Sequence, residues 1–572
     1  MLPNHFIREV TGFFEEFEDL GALNEYLKQR TGLLTFFPTV EEFEEFKKYL
    51  VKFESVTETP KDLGDFQTPK HLTDVICNRI FDIGFDPTVI IEPTCGTGNF
   101  ILSSLKLFPS LEYVYCIELQ KKYEWLFKID LLRLSFEQKI SAVIEFYRDN
   151  IFTHRFSDKL IQILERHSQK LLILGNPPWI TSAQLSVLGS DNVPIKSNIK
   201  GVKGIEALTG KGNFDIAEYI ILELVKQFSE YTGKIAMLCK TSVIKNLIKD
   251  IRKTGLQLSN IKSFLIDTHK EFRINAEGGL FLADFGSQAE KFCTISSIYN
   301  LEQPSKRFGW VTDKFVSDIE VYEKFKNLDG KSPFIWRQGV KHDAAKIMVL
   351  LKSANNLQNG LHENVRVEDD LLYPFIRSSD LKSPVVANID RRVIITQKSL
   401  KEDTDYIAEK YPNLWNYLIS HSKYLDNRKS AIYKKRPRFS IFGIGDYAFK
   451  PYKVAISGFY KEPNFALIFP INNKPAMLDD TCYYLFFDAL QDAFFTWLLL
   501  NLDSTRNFLS SVVFLDSKRP YTKEILMRIN LLKLAESQPF ETVLDFYQSQ
   551  LKKDFLYKFN KNDLISYIQK LS

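Results

Sequence analysis

The stretch LLILGNPPWITS (171–182) leaves a short apolar run, Leu171 to Leu174, and puts an amide, two prolines and an indole at its tip. An uninterrupted apolar run of that length suits a strand covered on both faces of a parallel sheet. Gly175 frees the backbone, whereas Pro177 and Pro178 fix φ and remove two N–H donors. Asn176, Pro177, Pro178 and Trp179 therefore make a stiff turn at the carboxyl end of a strand, where open α/β sheets hold their ligands. Taken alone, the turn also reads as a βα connection with a capping Asn, so the chemistry has to come from its neighbours.

A second turn supplies some. VIIEPTCGTGNFILSSL (89–105) reads as strand, glycine turn and helix start. Gly96 and Gly98 would let the backbone approach a ligand, and the helix N-terminus adds its positive end. The dinucleotide fingerprint GxGxxG is absent, because Ile101 stands where its third glycine would be. Glu92 and Pro93 suit a phosphate badly; a carboxylate there suits a cationic amino group. Beyond Gly98, YVYCIEL ends a second strand at Glu118, at the spacing where an acidic residue accepts both hydroxyls of a ribose. EFYRDNIF then places Asp149 at the end of a third strand, able to accept from an exocyclic amine such as adenine N6. A surface ion pair or a helix cap accounts for any one of these carboxylates. Three in order on successive strand ends spell S-adenosylmethionine rather than NAD or ATP.

These residues need a scaffold, and the chain has the length for one. Its 572 residues are too many for a single core, so two to four domains are expected. A composition of 45% hydrophobic and 26% charged residues is that of an ordinary soluble globular protein. Residues 1–60 read as a helical N-terminal arm, with VEEFEEFKKYLVKF at helical spacing. Over 61–300, the runs VIIEP, YVYCIEL, VIEFYRDN, LLILGNPPW and GKIAMLCK alternate with amphipathic stretches, the signature of a βαβ series and a mostly parallel sheet. The Gly-, Ser- and Asn-rich segment 185–212 reads as a long loop, expected to be mobile and to order on a ligand. Over 301–572 the pattern becomes irregular and aromatic-rich, turning helical after about residue 520. The first residues carry no signal-peptide pattern, and no apolar run approaches the roughly 18 residues of a membrane span. The six cysteines form no CxxC and no metal spacing, which fits reduced cytoplasmic thiols and no metal site.

Four segments together carry a family resemblance: DFQTPKHLTDVI (65–76), EPTCGTGNF (92–100), RDNIF (148–152) and GNPPW (175–179). In this order they resemble the motifs of the gamma class of amino-methyltransferases, the N6-adenine DNA methyltransferases of restriction–modification systems. The resemblance implies an α/β fold, a Rossmann-like S-adenosylmethionine-dependent methyltransferase domain followed by a mixed α+β target-recognition domain. It implies that Thr68 and Pro69, with Glu92, Pro93 and the Gly96–Gly98 turn, contact the methionine end of the cofactor. Glu118 would take the ribose, and Asp149, Asn150 and Ile151 the adenine ring. Asn176, Pro177, Pro178 and Trp179 would be the catalytic tetrad, with the Asn176 oxygen and the Pro177 carbonyl accepting the target amine's hydrogens. Trp179 would offer a face to a base extruded from the duplex. GNFDIAEYIILELV (212–225) resembles the segment after the tetrad, which puts Asp215 on the cofactor side. KEFRINAEGGLFLADF (270–285) resembles a strand pair bearing a stacking aromatic, Phe272 or its competitor Phe281. Implied partners are double-stranded DNA and a separate cognate restriction endonuclease, for a cytoplasmic monomer with no membrane contact.

The basic residues point the same way. HSKYLDNRKSAIYKKRPRFSIFGIGDYAFKPYKVAISGFY (421–460) holds nine Lys and Arg against two Asp, a local surplus of seven where the whole chain carries +4. Interleaved aromatics fit phosphate neutralisation and stacking, and Lys434, Lys435, Arg436 and Arg438 are the candidate contacts. WRQGVKHDAAKIM (336–348), FGIGDYAF (442–449) and LDDTCYYLFF (478–487) resemble target-recognition segments of the same enzymes. His342 and Asp343 could pass for a catalytic pair, but the Gly339 turn beside Arg337 and Lys341 suits a backbone-contact loop better. NPPY tetrads also occur in enzymes that methylate protein glutamine or RNA, and N4-cytosine transfer uses the same chemistry. The Thr-Pro motif, Trp179 and the long basic domain weigh against these. A fused nuclease and a catalytically silent DNA-binding subunit are disfavoured by the short N-terminal segment and the intact tetrad.

Overall fold

The continuous apolar runs do become strands buried on both faces. In the computed structural model these are β1 (Val89–Glu92), β2 (Tyr113–Glu118) and β4 (Leu171–Gly175), every residue of which is buried. β3 (Val143–Arg148) is mostly half-exposed, as befits a sheet edge, and β5 (Gly233–Lys240) returns to the interior. The structure describes residues 14, 17, 19–51, 66–166, 169–181, 215–286, 289–300, 305–353, 356–434 and 436–572. The loop expectation for 185–212 lies outside them.

Strands β1 to β5 are mutually parallel in the order β5-β4-β1-β2-β3. The chain then adds β6 (Leu258–Ile266), β7 (Gly278–Phe285), β8 (Phe292–Ser297), β9 (Lys306–Val311) and β10 (Lys314–Val316). β7 inserts antiparallel between β5 and β6, giving ten strands in the order β10-β9-β8-β6-β7-β5-β4-β1-β2-β3. Strand order reverses between β1 and β4, the switch point at which doubly wound sheets leave a crevice beyond their carboxyl ends. Glu92, Glu118, Asp149 and Asn176 all stand at that end, each closing or directly following its strand.

The helices that cover the sheet are α1 (Leu20–Thr31), α2 (Val40–Val51), α3 (Lys70–Asp82), α4 (Asn99–Leu107), α5 (Lys121–Glu137), α6 (Asp158–Leu164), α7 (Ile216–Phe228), α8 (Thr241–Thr254) and α9 (Thr268–Phe272). Pro69, fixed near helical φ, opens α3, which buries Leu72, Ile76, Cys77 and Ile80 against the sheet. The expected N-terminal arm is not separate. Leu23, Leu27, Phe36, Phe37, Phe46 and Leu50 share one apolar core with Ile90, Val114 and Leu172, and Leu33 pairs with Ile144 of β3. A buried ion pair, Lys128 to Glu124 at 2.5 Å, lies over the Phe36 and Phe37 rings, and Arg148 links Glu124 to Glu42 of α2. Burying that apolar face is what draws the arm in.

The chain divides into two compact units, residues 1–315 and 316–572. The division falls beyond the expected residue 300 because β9 pairs with β8 and so extends the first unit's sheet. The second unit holds a five-stranded and a six-stranded sheet. Its helical part starts at Leu490 rather than near residue 520. LQDAFFTWLLLN (490–501) is apolar on all sides and buried on all sides from Ala493 onward, so no amphipathic period marks it. All six cysteines are buried and unpaired. Among the described residues no helix is long and apolar enough to cross a membrane, and no cluster of three His, Cys, Asp or Glu could hold a metal ion.

Candidate active site

A cavity of about 250 Å³ opens where β1 to β4 end. Thr68, Glu92, Pro93, Gly96, Glu118, Asp149, Asn150, Ile151, Asn176 and Pro178 all line it. The sequence-picked carboxylates and the first residue of the tetrad thus meet in one place, although they lie up to 84 residues apart in sequence from Glu92 to Asn176.

Glu92 is 1% exposed, and its Oε2 has no hydrogen-bond partner among the described residues; neither does the buried hydroxyl of Thr94 beside it. Burial, then the neighbouring Cys116 and Glu118, hold the Glu92 carboxyl well above the usual carboxylate range. The carboxyl thus keeps an open oxygen at the end of β1, in the wall of the cavity. Glu118 behaves differently. Its Oε2 accepts from the Gly96 amide at 2.7 Å and its Oε1 from the Gln120 amide at 2.8 Å. It therefore shapes the Gly96–Gly98 turn as well as facing the cavity.

The glycines of the turn are also required by packing. Gly98 has φ +78°, and a Cβ there would lie 2.0 Å from the Phe127 ring. At Gly96, φ +55°, a Cβ would meet the Gln67 side chain at 2.4 Å. Gln67 was not singled out from the sequence, yet its Oε1 accepts from the Thr97 amide and clamps the turn. Asn99, equally unmarked, donates to the Thr68 carbonyl at 2.8 Å and joins the Thr-Pro motif to the turn.

The Asn176 amide is held at both ends. Its Nδ2 donates to the Phe66 carbonyl at 2.9 Å and to the Thr68 hydroxyl at 3.1 Å, and its Oδ1 accepts from the Trp179 indole N–H at 2.8 Å. One acceptor site remains on that oxygen. Trp179 departs from the expectation of an open stacking face. It is 5% exposed, packs edge-on against Phe66 and Phe272, and its ring occupies the space a Cβ at Gly278 would need. The indole hydrogen bond draws the ring inward. Phe272 stands beside Trp179, ring centroids 5.6 Å apart, whereas Phe281 is enclosed within β7.

Pro69, Gly98, Pro177, Trp179, Asp215 and Phe272 do not line the cavity. For Asp215 the reason is plain: Oδ1 caps α7 by accepting from the Ala217 amide, and Oδ2 takes the Lys240 ammonium at 2.7 Å. Ile216 and Ile220, further along the same helix, reach the cavity instead.

No protein-family model matches the chain. It is 38% identical over 489 residues to the type II methyltransferase M.NspV of Nostoc sp. (strain ATCC 29411 / PCC 7524), covering 84% of this chain and 99% of that protein. The chain belongs to the type II methyltransferases. A second relative, the type II methyltransferase M.CvrRI of Paramecium bursaria Chlorella virus XZ-6E, is 44% identical over 64 residues, 11% of this chain and 15% of that one. Among solved structures, the type IIL restriction–modification enzyme MmeI in complex with DNA matches with a TM-score of 0.47 at 11% identity, covering 88% of this chain and 75% of that one.

The second unit of this methyltransferase brings the three resembling segments together. Strand Arg337–Gln338 pairs with Cys482–Phe487, the Val340 amide donates to the Leu478 carbonyl, and Lys341 and Phe442 exchange backbone hydrogen bonds at 2.9 Å. Arg337 lies over the Tyr447 ring, 4.6 Å from its centroid, with a buried Nε that has no partner among the described residues. Lys341 sits 3.6 Å from Asp343. His342 is buried, its Nδ1 accepts from the Ala344 amide, and burial pushes its pKa down to about 4, so it is a neutral structural group. Of the basic stretch, Lys434 and Arg436 are exposed, Lys435 lies outside the described residues, and Arg438 is paired with Asp426 at 2.8 Å.

Proposed function

We propose that this methyltransferase transfers a methyl group from S-adenosylmethionine to N6 of adenine in duplex DNA, reached by base flipping, and so protects DNA from a cognate restriction endonuclease. The observation that carries the reading is Asn176, pinned at the end of β4 with one acceptor site open beside a cavity lined by three carboxylates. S-adenosylmethionine, when bound, supplies an electrophilic methyl on a sulfonium.

The residues divide that work. Glu92 receives the cationic amino group, Glu118 the ribose hydroxyls, and Asp149 with Asn150 and Ile151 the adenine. Thr68 and Pro69 serve the methionine end through the turn and Asn176. An exocyclic aromatic amine is a poor nucleophile, because its lone pair is delocalised into the ring. The Asn176 oxygen and the Pro177 carbonyl each accept one of its hydrogens, which favours a tetrahedral nitrogen with a localised pair. Pro177 and Pro178 keep that carbonyl fixed and remove competing donors. Trp179 and Phe272 provide the aromatic wall for the extruded base, once the ring is uncovered; base stacking contributes roughly 1–3 kcal/mol. Catalysis then rests on orientation and fixed dipoles rather than a covalent intermediate.

Residues 316–572 serve as the target-recognition unit, with Arg337, Lys341, Lys434, Lys435, Arg436 and Arg438 toward phosphates. A monomer acting in the cytoplasm beside a separately encoded endonuclease completes the reading. Methyl-labelled S-adenosylmethionine offered with duplex DNA, RNA and a peptide in separate reactions tests the substrate class. Label should enter DNA alone; label in RNA or peptide would move this chain to another branch of the fold.

A further inference from the structure

A buried relay lies behind Asp149 that no sequence motif marked. After β3 the chain turns back on itself: the Thr153 and His154 amides both donate to the Asn150 carbonyl, at 3.0 and 2.9 Å. The turn puts the His154 imidazole, 3% exposed, against Asp149, with Nδ1 2.7 Å from Oδ2. The other ring nitrogen, Nε2, is 2.8 Å from the Tyr115 hydroxyl. Tyr115, Tyr147 and Phe156 wall the ring at centroid distances of 5.8, 5.2 and 5.4 Å.

The hydrogen-bond directions follow from the neighbours. An ionised Asp149 carboxylate can only accept, so Nδ1 carries the proton facing Oδ2, while the Ser157 amide donates to the Tyr115 oxygen at 3.3 Å. With that proton on Nδ1, a neutral imidazole leaves Nε2 to accept from the Tyr115 hydroxyl. The second carboxylate oxygen, Oδ1, accepts from the Asn150 amide at 2.7 Å. Each oxygen of Asp149 thus has one protein donor, and the half-exposed carboxylate turns its remaining acceptor capacity to the cavity. The His154 hydrogen bond is also the main cause holding the Asp149 carboxyl below the usual range.

We propose that His154 is a positioning residue that fixes the Asp149 carboxylate so that the site selects the 6-amino group of the cofactor's purine. The inference rests on the reading of Asp149 as the acceptor for that amine. A fixed carboxylate accepts from a 6-amino group and repels a 6-oxo oxygen. A carboxylate free to rotate could turn away and tolerate both.

The test compares the dissociation constants of S-adenosylhomocysteine and S-inosylhomocysteine on the full chain, because a general loss of stability weakens both and leaves their ratio alone. Wild type should prefer the amino compound by at least about tenfold, the scale of one hydrogen bond to a charged group. His154→Phe, which keeps a ring but no donor, should bring that preference below about threefold, and His154→Asn, which keeps a donor near the Nδ1 position, should restore most of it. Tyr115→Phe, which removes only the partner of Nε2, should lower the ratio by a smaller factor and decides the matter if His154→Phe does not fold. An unchanged ratio in these variants overturns the role of His154. No preference in the wild type would overturn the reading of Asp149 itself, and the inference with it.

Discussion

The cavity of the first unit and the basic stretch of the second were both conspicuous in the sequence, yet they treat their charges in opposite ways. In the cavity, Glu92 is buried with an oxygen left open, and the Glu118 and Asp149 carboxylates, though anchored by backbone amides, still face the hollow. In the basic stretch, four of the nine cations are already used by the fold, Arg438 through its pairing with Asp426 among them. Arg428 donates to the Leu425, His342, Ser440 and Arg438 carbonyls and lies over the Tyr433 ring at 3.6 Å. Lys450 pairs with Asp488, and Lys453 is buried, donates to the Lys450 carbonyl and is pushed down to about 7 by burial alone. A local surplus of seven charges therefore overstates what the surface offers to phosphate, whereas the ordered single carboxylates on strand ends come together at one cavity.

The largest expected effect breaks the cavity side. Asn176→Ala should lower methyl transfer by about 100-fold or more, the scale of removing one fixed polar group from a reacting centre, with cofactor affinity changed only a few-fold. Turnover and calorimetric binding, measured on one preparation, check this; activity within tenfold of wild type would remove Asn176 from the chemistry.

Glu118→Ala should come next. It removes the partner of two backbone amides as well as the proposed ribose acceptor, and an unmade charged hydrogen bond costs about 1.5–3 kcal/mol. Cofactor affinity should fall by roughly 10- to 150-fold, with DNA affinity in the absence of cofactor unchanged.

Glu92 separates binding from stability. Its carboxyl is raised in the folded chain, so its contribution to stability is present below the unfolded pKa and lost as pH rises through the folded one. Glu92→Gln should therefore raise the melting temperature of the ligand-free protein at neutral pH by a few degrees, while weakening the cofactor. In the wild type an incoming ammonium lowers the Glu92 pKa, so binding should release a proton and tighten as pH rises. Calorimetry in buffers of different ionisation enthalpy reads the proton; proton uptake would contradict the assignment.

The smallest effect sharpens the other half of the comparison. Neutralising exposed Lys434 and Arg436 should flatten the log–log salt dependence of DNA binding by up to about 1.8, at about 0.9 per phosphate contact. Arg428→Ala should leave that slope alone and instead cost roughly 2–4 kcal/mol of stability, because four carbonyls lose their donor. Titrations at several salt concentrations and a denaturation curve distinguish the two.

Much of the site was legible because strand ends are set by local pattern. Continuous apolar runs fix β1, β2 and β4, and whatever polar residue ends each one is delivered to the same crevice. What escaped was set by contacts distant in sequence. Gln67 clamps a turn 30 residues away, the buried face of α1 and α2 joins a core built by the strands and by helices α3 to α5, and Asp215 is drawn off by Lys240. None of these pairings leaves a period or a motif. The helix 490–501 escaped for the opposite reason: its apolar residues have no polar face to contrast with.

The central claim is that the pinned Asn176 directs methylation to N6 of adenine. Duplex DNA modified by wild-type protein, digested to nucleosides and resolved by mass spectrometry, tests it most directly. N6-methyladenine should be the product, and it should vanish with Asn176→Ala; N4-methylcytosine, or N6-methyladenine that persists in the variant, would contradict the account.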